Sequence, residues 1–400
     1  MSSADILAVS IDSLEERCEQ LGAELRKCLI SPSTEVLNIK NCLKKAAPNM
    51  VRWVLYTRKL LLFMIFKSYP ALVKEILKPL PTNDYPVLNT RLSVSCWLGY
   101  ALDKSLTSMR DLFKRLNNTG FDVDISSFSK ASKHRSQEVF LKIYGWLICQ
   151  AQKNYSSDRY AICPIDSTVI TLTSKLLWSA GFSQVKLVSG LNLLSGVMSD
   201  NLVNFGCDHD YNYGKKMVEA LPSNGVAVMD RGFASLKFLA QMTDANQYFV
   251  LRISKQYKLV FDENSELVKV GTGDHSSYYR VVNFCDLQTQ EEYRLVTNLP
   301  SAGAGAVSNE EIGEIYRCRW GIELLWKFLK MHLKLDELIT KNVNGIAIQI
   351  YATLIAYLIL KLIEIPSEWG NKLLDKLRYL QACMCQQISH IHWMERIMRC

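Results

Sequence analysis

The sequence contains no internal repeat, no long low-complexity segment and no regularly spaced cysteine framework. A solenoid and a disulfide-stapled secreted domain are therefore not expected. Residues 1–20 carry acidic side chains and lack an apolar run, so no secretory signal peptide is expected. The twelve cysteines are scattered, as free thiols of a reducing, cytoplasmic setting would be. Near the end, Cys383-x-Cys385 and His390-x-His392 miss the usual structural zinc spacings. One stretch, 346–363, approaches membrane-span length. Gln349, Thr353 and two tyrosines interrupt it and no charge asymmetry anchors its ends, so a buried core helix is expected.

What is present is a 400-residue chain, 48% hydrophobic, large enough for two or three domains. Its charge is uneven. Residues 1–150 hold 21 Lys/Arg against 14 Asp/Glu, a surplus of +7, whereas 151–400 hold 26 against 25. The excess in the first third suits a polyanion partner, nucleic acid or membrane surface; solvated helix faces would also produce it.

Along the chain, 1–45 and 50–66 read as helices, the latter with Arg52, Arg58 and Lys59. Prolines 70, 79, 81 and 86 punctuate a connection, and 90–117 read as one helix or two. After the turn signal 117–120, Ser126 or Ser127 would cap a helix bearing Lys130, Lys133, His134 and Arg135 near its start. That order resembles a helix-turn-helix, but two helices and a turn occur in most all-α domains. If it meets DNA, Lys114, Arg115, Lys130, Lys133 and Arg135 are phosphate contacts first. Past residue 155 strands appear: 160–165, then 169–172, 185–194, 225–229 and 248–253, with helices at 215–221 and 235–242. Short alternating runs at 257–261, 267–270, 278–284 and 293–297 read as an antiparallel β insertion. The glycines of SAGAGA then make a joint.

Two aspartates, Asp166 and Asp230, each close an apolar run read as a strand. A buried carboxylate needs a partner: a cation such as Arg231 or Lys186, or a metal. Residues 309–335 read as one helix capped by Asn309, on which Tyr316, Arg319, Glu323 and Lys330 fall within an arc of about 60°. That is either a surface stripe of ion pairs or a carboxylate delivered beside two strand ends. Three carboxylates suffice for two Mg²⁺ ions that clamp an in-line phosphoryl displacement. A rival acid cluster, Asp208-His209-Asp210, lies in a polar stretch that reads as a loop, and Trp320 and Trp326 read as core.

These residues carry a resemblance. Asp166-Ser167-Thr168 resembles the first motif of bacterial DDE transposases, and Asp230-Arg231-Gly232-Phe233 resembles the second. Tyr316-x2-Arg319-x3-Glu323-x6-Lys330 is similar to the Tyr-Arg-Glu-Lys signature of the insertion-sequence-four branch. The motifs stand in order, 64 and 93 residues apart (230 − 166 and 323 − 230), and the likeness covers about 155–365. The resemblance implies an α/β fold with a ribonuclease H-like catalytic core, an antiparallel β insertion and an all-α N-terminal region. The expected organisation is a basic helical DNA-binding region over 1–150, the core over 155–255 and 299–365, the insertion over 256–298, and a helical tail over 366–400. Leucines 373, 377 and 380 with Trp369 suggest that this tail dimerises.

It further implies cut-and-paste movement of an insertion element through a hairpin intermediate. Asp166, Asp230 and Glu323 would be the metal ligands, for Mg²⁺ or Mn²⁺, and Tyr316, Arg319 and Lys330 would grip phosphates. Double-stranded DNA, both element ends and target, would be the partner. A homodimer would handle the two ends, and the protein would sit on the nucleoid when bound. A metal nuclease without strand transfer, or an inactive DNA-binding derivative, would share these residues. Relatives that make hairpins can stack a flipped base on a Trp in the insertion. No Trp lies between Asp230 and Trp320 here, so Tyr257, Phe261, Tyr278 or Tyr279 would have to substitute.

Overall fold

In the computed structural model the described residues are 69–118, 122–152, 160–262, 265–285 and 292–383. The expected helices at 1–45 and 50–66 and the Cys385–His392 pattern lie outside them. Helices α1 (Tyr69–Leu77), α2 (Thr90–Leu102), α3 (Met109–Asn118), α4 (Ile125–His134) and α5 (Glu138–Gln152) come first. Then follow β1 (Ala161–Thr171), α6 (Lys175–Ser179), β2 (Gln184–Asn192), β3 (Val197–Phe205), α7 (Tyr211–Glu219), β4 (Gly225–Met229), α8 (Leu236–Asp244) and β5 (Tyr248–Ile253). The short strands β6 (Leu259–Val260), β7 (Val268–Val270), β8 (Ser277–Cys285) and β9 (Glu292–Thr297) lead into α9 (Asn309–Arg317), α10 (Trp320–Leu333), α11 (Val343–Leu362) and α12 (Leu373–Cys383).

The sheet runs β3-β2-β1-β4-β5-β9-β8-β7-β6. Strands β1, β2 and β3 are antiparallel neighbours; β1, β4 and β5 are parallel. Parallel neighbours need a crossover, supplied by α7 before β4 and α8 before β5. The strands expected as an insertion do not form a sheet of their own. Antiparallel β9 pairs with β5, and β8, β7 and β6 extend the same sheet outward. Strand β3, MSDNLVNF with its preceding Val197, escaped the sequence reading because its polar residues conceal a period of two.

Alternation along β4 shows why GVAVM is apolar throughout. Ala227 and Met229 pack with Phe249 and Leu251 against α7 and α8, while Val226 and Val228 pack with Val250 and Leu295 against Ile312 and Tyr316 of α9. Both faces of the strand are covered, so neither position tolerates a polar side chain.

The helical mass is built around α11. Asn342 caps it by accepting from Gly345 N–H, and every residue from Gly345 to Leu360 is buried. Three of the polar residues that break its apolar run, Gln349, Thr353 and Tyr357, are hydrogen-bonded. Gln349 accepts from Ile339 N–H (3.0 Å) and donates to the Glu337 carbonyl (2.9 Å); the Thr353 hydroxyl donates to the Leu333 carbonyl (3.1 Å). The helix is long and apolar enough to cross a membrane, yet it is the centre of a core shared with α2, α4, α5 and α10.

Several local expectations are corrected. Asp124, not Ser126 or Ser127, caps α4, accepting from Ser126 N–H at 2.7 Å. Ser308, not Asn309, caps α9, and Glu311 returns the bond to complete a capping box. The 309–335 segment is two helices, because bonds spanning three residues at Cys318–Arg319 form a tight turn between them. Gly321 follows at once: a Cβ there would sit 2.7 Å from the tip of the Leu193 side chain, which would have to shift to admit it. Leu377 and Leu380 of α12 are spent inside this chain's own core, which removes them from any dimerising stripe.

Candidate active site

The β1–β4 register positions the two aspartates. Ile165 pairs with Met229 in parallel, so Asp166 and Asp230 are the next residue on each strand. Adjacent strands lie about 4.8 Å apart, and side chains at matched positions emerge on the same face. Ile165 and Met229 point to the α7–α8 side, so by alternation Asp166 and Asp230 point to the α9–α10 side. Asp166 does not end its strand as expected. Strand β1 continues to Thr171 because β2 pairs with it beyond the end of β4.

Helices α9 and α10 meet this face. The Tyr316 hydroxyl, buried, donates to Asp230 Oδ1 at 3.3 Å. Arg319, in the turn between the helices, pairs with Glu323 Oε1 at 2.6 Å. A second guanidinium, Arg252 of β5, stands 3.8 Å from Asp230 Oδ1 and lies over the Tyr293 ring, 4.2 Å from its centroid. Tyr293 in turn packs on Tyr316. Lys186, one of the expected partners of the aspartates, is elsewhere: it pairs with Asp210 at 2.8 Å.

The electrostatics follow from this crowding. Burial pushes the Asp166 carboxyl up to about 6; the Ser167 backbone N–H and Arg319 pull it down, Glu323 pushes it up again, and the Trp326 indole favours the charged form. The Trp326 N–H is itself buried without a well-formed hydrogen bond. Burial works against the Arg319 charge, but Tyr316, Glu323 and Asp230 more than offset it and raise its pKa. Burial, then Asp230, raises Tyr316 to a phenol that stays protonated at any ordinary pH.

Asp166, Asp230, Tyr316, Arg319 and Glu323 are thus brought together. Lys330 lies further along, donating to the Val169 carbonyl of β1 at 3.1 Å. Lys130, Lys133 and Arg135 belong to a different surface on α4. There Arg135 is spent on the Leu88 carbonyl and on the Tyr85 ring, 3.7 Å away, while Lys130 and Lys133 are exposed. Helix α4 packs on α11 through Asn344, which donates to the Ser132 and Arg135 carbonyls. Trp320, expected in the core, is 59% exposed, whereas Trp326 is buried. Of the aromatic substitutes, Tyr279 is buried and Tyr257 is held by the Ala234 carbonyl, while Phe261 and Tyr278 are exposed.

Two features escaped the sequence reading. Arg252 is a lone cation in the apolar run YFVLRI, two residues after Val250 and therefore on its face; that periodicity was the available signal. Asp210 accepts from the Ser167 hydroxyl at 2.9 Å, tying the rival acid cluster to the strand that carries Asp166.

The donor chemistry suits a hard divalent cation: three carboxylates, no thiolate, and one carboxyl destabilised by burial. The cations in place are Arg319 on Glu323 and Arg252 beside Asp230. Among the described residues no three His, Cys, Asp or Glu side chains stand close enough to share an ion.

These features define a mixed α/β protein with one large sheet and two acidic residues at matched positions of neighbouring parallel strands. The chain belongs to the transposase DDE domain family, whose pattern matches residues 158–359. It is 50% identical over 338 residues to a putative transposase for insertion sequence element IS4SA from Synechocystis, covering 83% of this chain and 99% of that one. A probable transposase for element IS5377 from Geobacillus stearothermophilus is 25% identical over 258 residues, 59% of this chain and 66% of that one. Among solved structures, a piggyBac transposase synaptic complex with hairpin DNA aligns over 82% of this chain and 80% of that chain, at 11% identity and a TM-score of 0.42.

Proposed function

We propose that this insertion-element transposase cleaves DNA and transfers the freed strand by two-metal-ion chemistry on a ribonuclease H-like core, in cut-and-paste fashion. The strand order supports that core: three antiparallel strands joined through β1 to parallel β4 and β5. The observation that carries the reading is the juxtaposition of Asp166 and Asp230 at matched positions of one parallel register, with Glu323 of α10 near enough to Asp166 to raise its pKa. Asp166, Asp230 and Glu323 would hold Mg²⁺, which Mn²⁺ would replace. Bound there, the ion would act as a Lewis acid on the scissile phosphate's oxygens.

The chain's own residues do the rest. Arg319 presents a planar fork beside the site and, on leaving Glu323, is free to take a non-bridging phosphate oxygen. Tyr316 donates a hydrogen bond to Asp230 and fixes that carboxylate's orientation. Lys330, Lys130 and Lys133 bind phosphates further along the duplex, and Arg135 buttresses α4. Phe261 and Tyr278 are the exposed rings on which a flipped base at a hairpin would stack. Two copies of the chain act together, one for each element end.

The test incubates full-length protein with a labelled duplex of the element end, a target duplex and Mg²⁺ or Mn²⁺. Joined products are expected, and Glu323→Gln should abolish both cleavage and joining. Cleavage without joining would identify a nuclease instead; unaltered cleavage by Glu323→Gln would remove Glu323 from the ligand set.

A further inference from the structure

Beyond Asp230 the surface turns basic. The short 3-10 turn Arg231–Phe233 and the end of β5 open onto a cleft of about 650 Å³ lined by Arg231, Arg252, Ser254, Lys255, Glu292 and Arg294. Four cations face one carboxylate, a local charge of 4 − 1 = +3. A smaller cavity of about 210 Å³ shares Lys255, Glu292 and Arg294 and continues along β8 to Asn283. The two form one track from the Asp230 turn, over the end of β5, to the outer strands. By contrast, the cavity of about 520 Å³ between α4, β3 and α11 is lined by Val203, Phe205, Val343, Ala347 and Tyr351 with a single cation, Lys133.

The cations are held in ways that leave their charge available. Arg294 donates to the Lys255 and Tyr257 carbonyls at 3.4 Å, which fixes its guanidinium on the wall without neutralising it. Lys255 and Glu292 pair at 3.0 Å, but both side chains are about two-thirds exposed. Such a pair contributes little and exchanges readily for another anion. Arg231 is exposed and makes no ion pair among the described residues. Basic side chains in an open groove suit phosphates, which position a nucleic acid without reading its sequence.

We propose that this cleft carries the phosphodiester backbone of the DNA strand that passes Asp230, with Arg231, Lys255 and Arg294 as its phosphate contacts and Glu292 as a carboxylate the backbone displaces. The proposal rests on the reading of Asp230 as part of the active site. It adds a binding track on the β5–β9–β8 side, opposite in direction to the Lys330 contact.

Binding of a fluorescein-labelled element-end duplex to the full chain, in EDTA and over a range of salt, tests it. Arg231→Gln and Lys255→Gln should each reduce the slope of log affinity against log salt by about 0.9, and together by about twice that. Glu292→Gln should tighten binding, an effect of opposite sign that damaged folding would not mimic. Lys215→Gln, on the exposed face of α7, should change nothing. Wild-type slopes in Arg231→Gln and Lys255→Gln, or no gain from Glu292→Gln, would overturn the track. If those variants behave normally while Glu323→Gln abolishes strand joining, the track falls and the active site stands. If the slopes fall but the wild type never cleaves, the active-site reading fails and the track remains.

Discussion

The interior around α11 and the acidic edge at β1–β4 are built on opposite terms. In the interior, Gln349, Thr353 and Tyr357 of α11 are hydrogen-bonded, and the sixteen residues from Gly345 to Leu360 are all buried. At the edge, carboxylates converge, one guanidinium serves several of them, and a tryptophan N–H goes without a good partner. The interior stabilises the fold. The edge costs stability, as sites arranged for an incoming charge commonly do. The comparison teaches that removing a group from either region should move opposite quantities.

The largest expected effect is catalytic. Glu323→Gln, Asp230→Asn and Asp166→Asn should each slow element-end cleavage on the order of a thousandfold or more, with no loss of thermal stability. A variant that lost both would blur the contrast. Leu358→Ala should do the reverse. It should cost about 2–5 kcal/mol in denaturant unfolding while leaving the cleavage rate per folded molecule unchanged.

A third outcome has a definite sign with pH. The Asp166 pKa rises from its ordinary 3.8 to about 6, so this group favours the fold below pH 3.8 and loses that contribution as pH climbs to 6. Above pH 6 the cost is complete. Asp166→Asn should therefore stabilise the metal-free protein at pH 8 by at most about 3 kcal/mol, and not at pH 3.5. Melting curves with and without Mg²⁺ sharpen this: the ion should stabilise the wild type more than the variant. The smallest effect concerns the seam between the two regions. Gly321→Ala pushes a methyl toward Leu193, a flexible side chain, and should cost about 1–2 kcal/mol, with some loss of cleavage because α10 carries Glu323.

Much of this was legible in the residues. Strand β4 was readable because burial on both faces demands an unbroken apolar run, and β5 because its apolar residues continue through 253. Tyr316, Arg319, Glu323 and Lys330 were readable as one stripe because helical periodicity is local. The stripe nonetheless divides in the structure: the turn at Cys318–Arg319 breaks the helix, Tyr316 and Arg319 meet the aspartates, and Lys330 meets Val169. Turns of this kind depend on which bonds the neighbouring sheet permits, which no window of sequence contains. Arg135 looked like a phosphate contact until Tyr85, fifty residues earlier, was brought beneath it.

The sequence by itself determined the chemistry: which carboxylates, cations and phenol were available, the apolar runs that Asp166 and Asp230 follow, and the apolar helix that had to be buried. Those follow from side-chain type and from periods of two and 3.6 residues. Only the tertiary structure decided the meetings. Strands 64 residues apart (230 − 166) came into register, Arg252 arrived beside Asp230, and Arg231, Lys255 and Arg294 gathered into one basic track. Pairing between distant strands is set by which faces bury best against α7 to α11 together, a cooperative quantity that belongs to the packed chain and not to any segment of it.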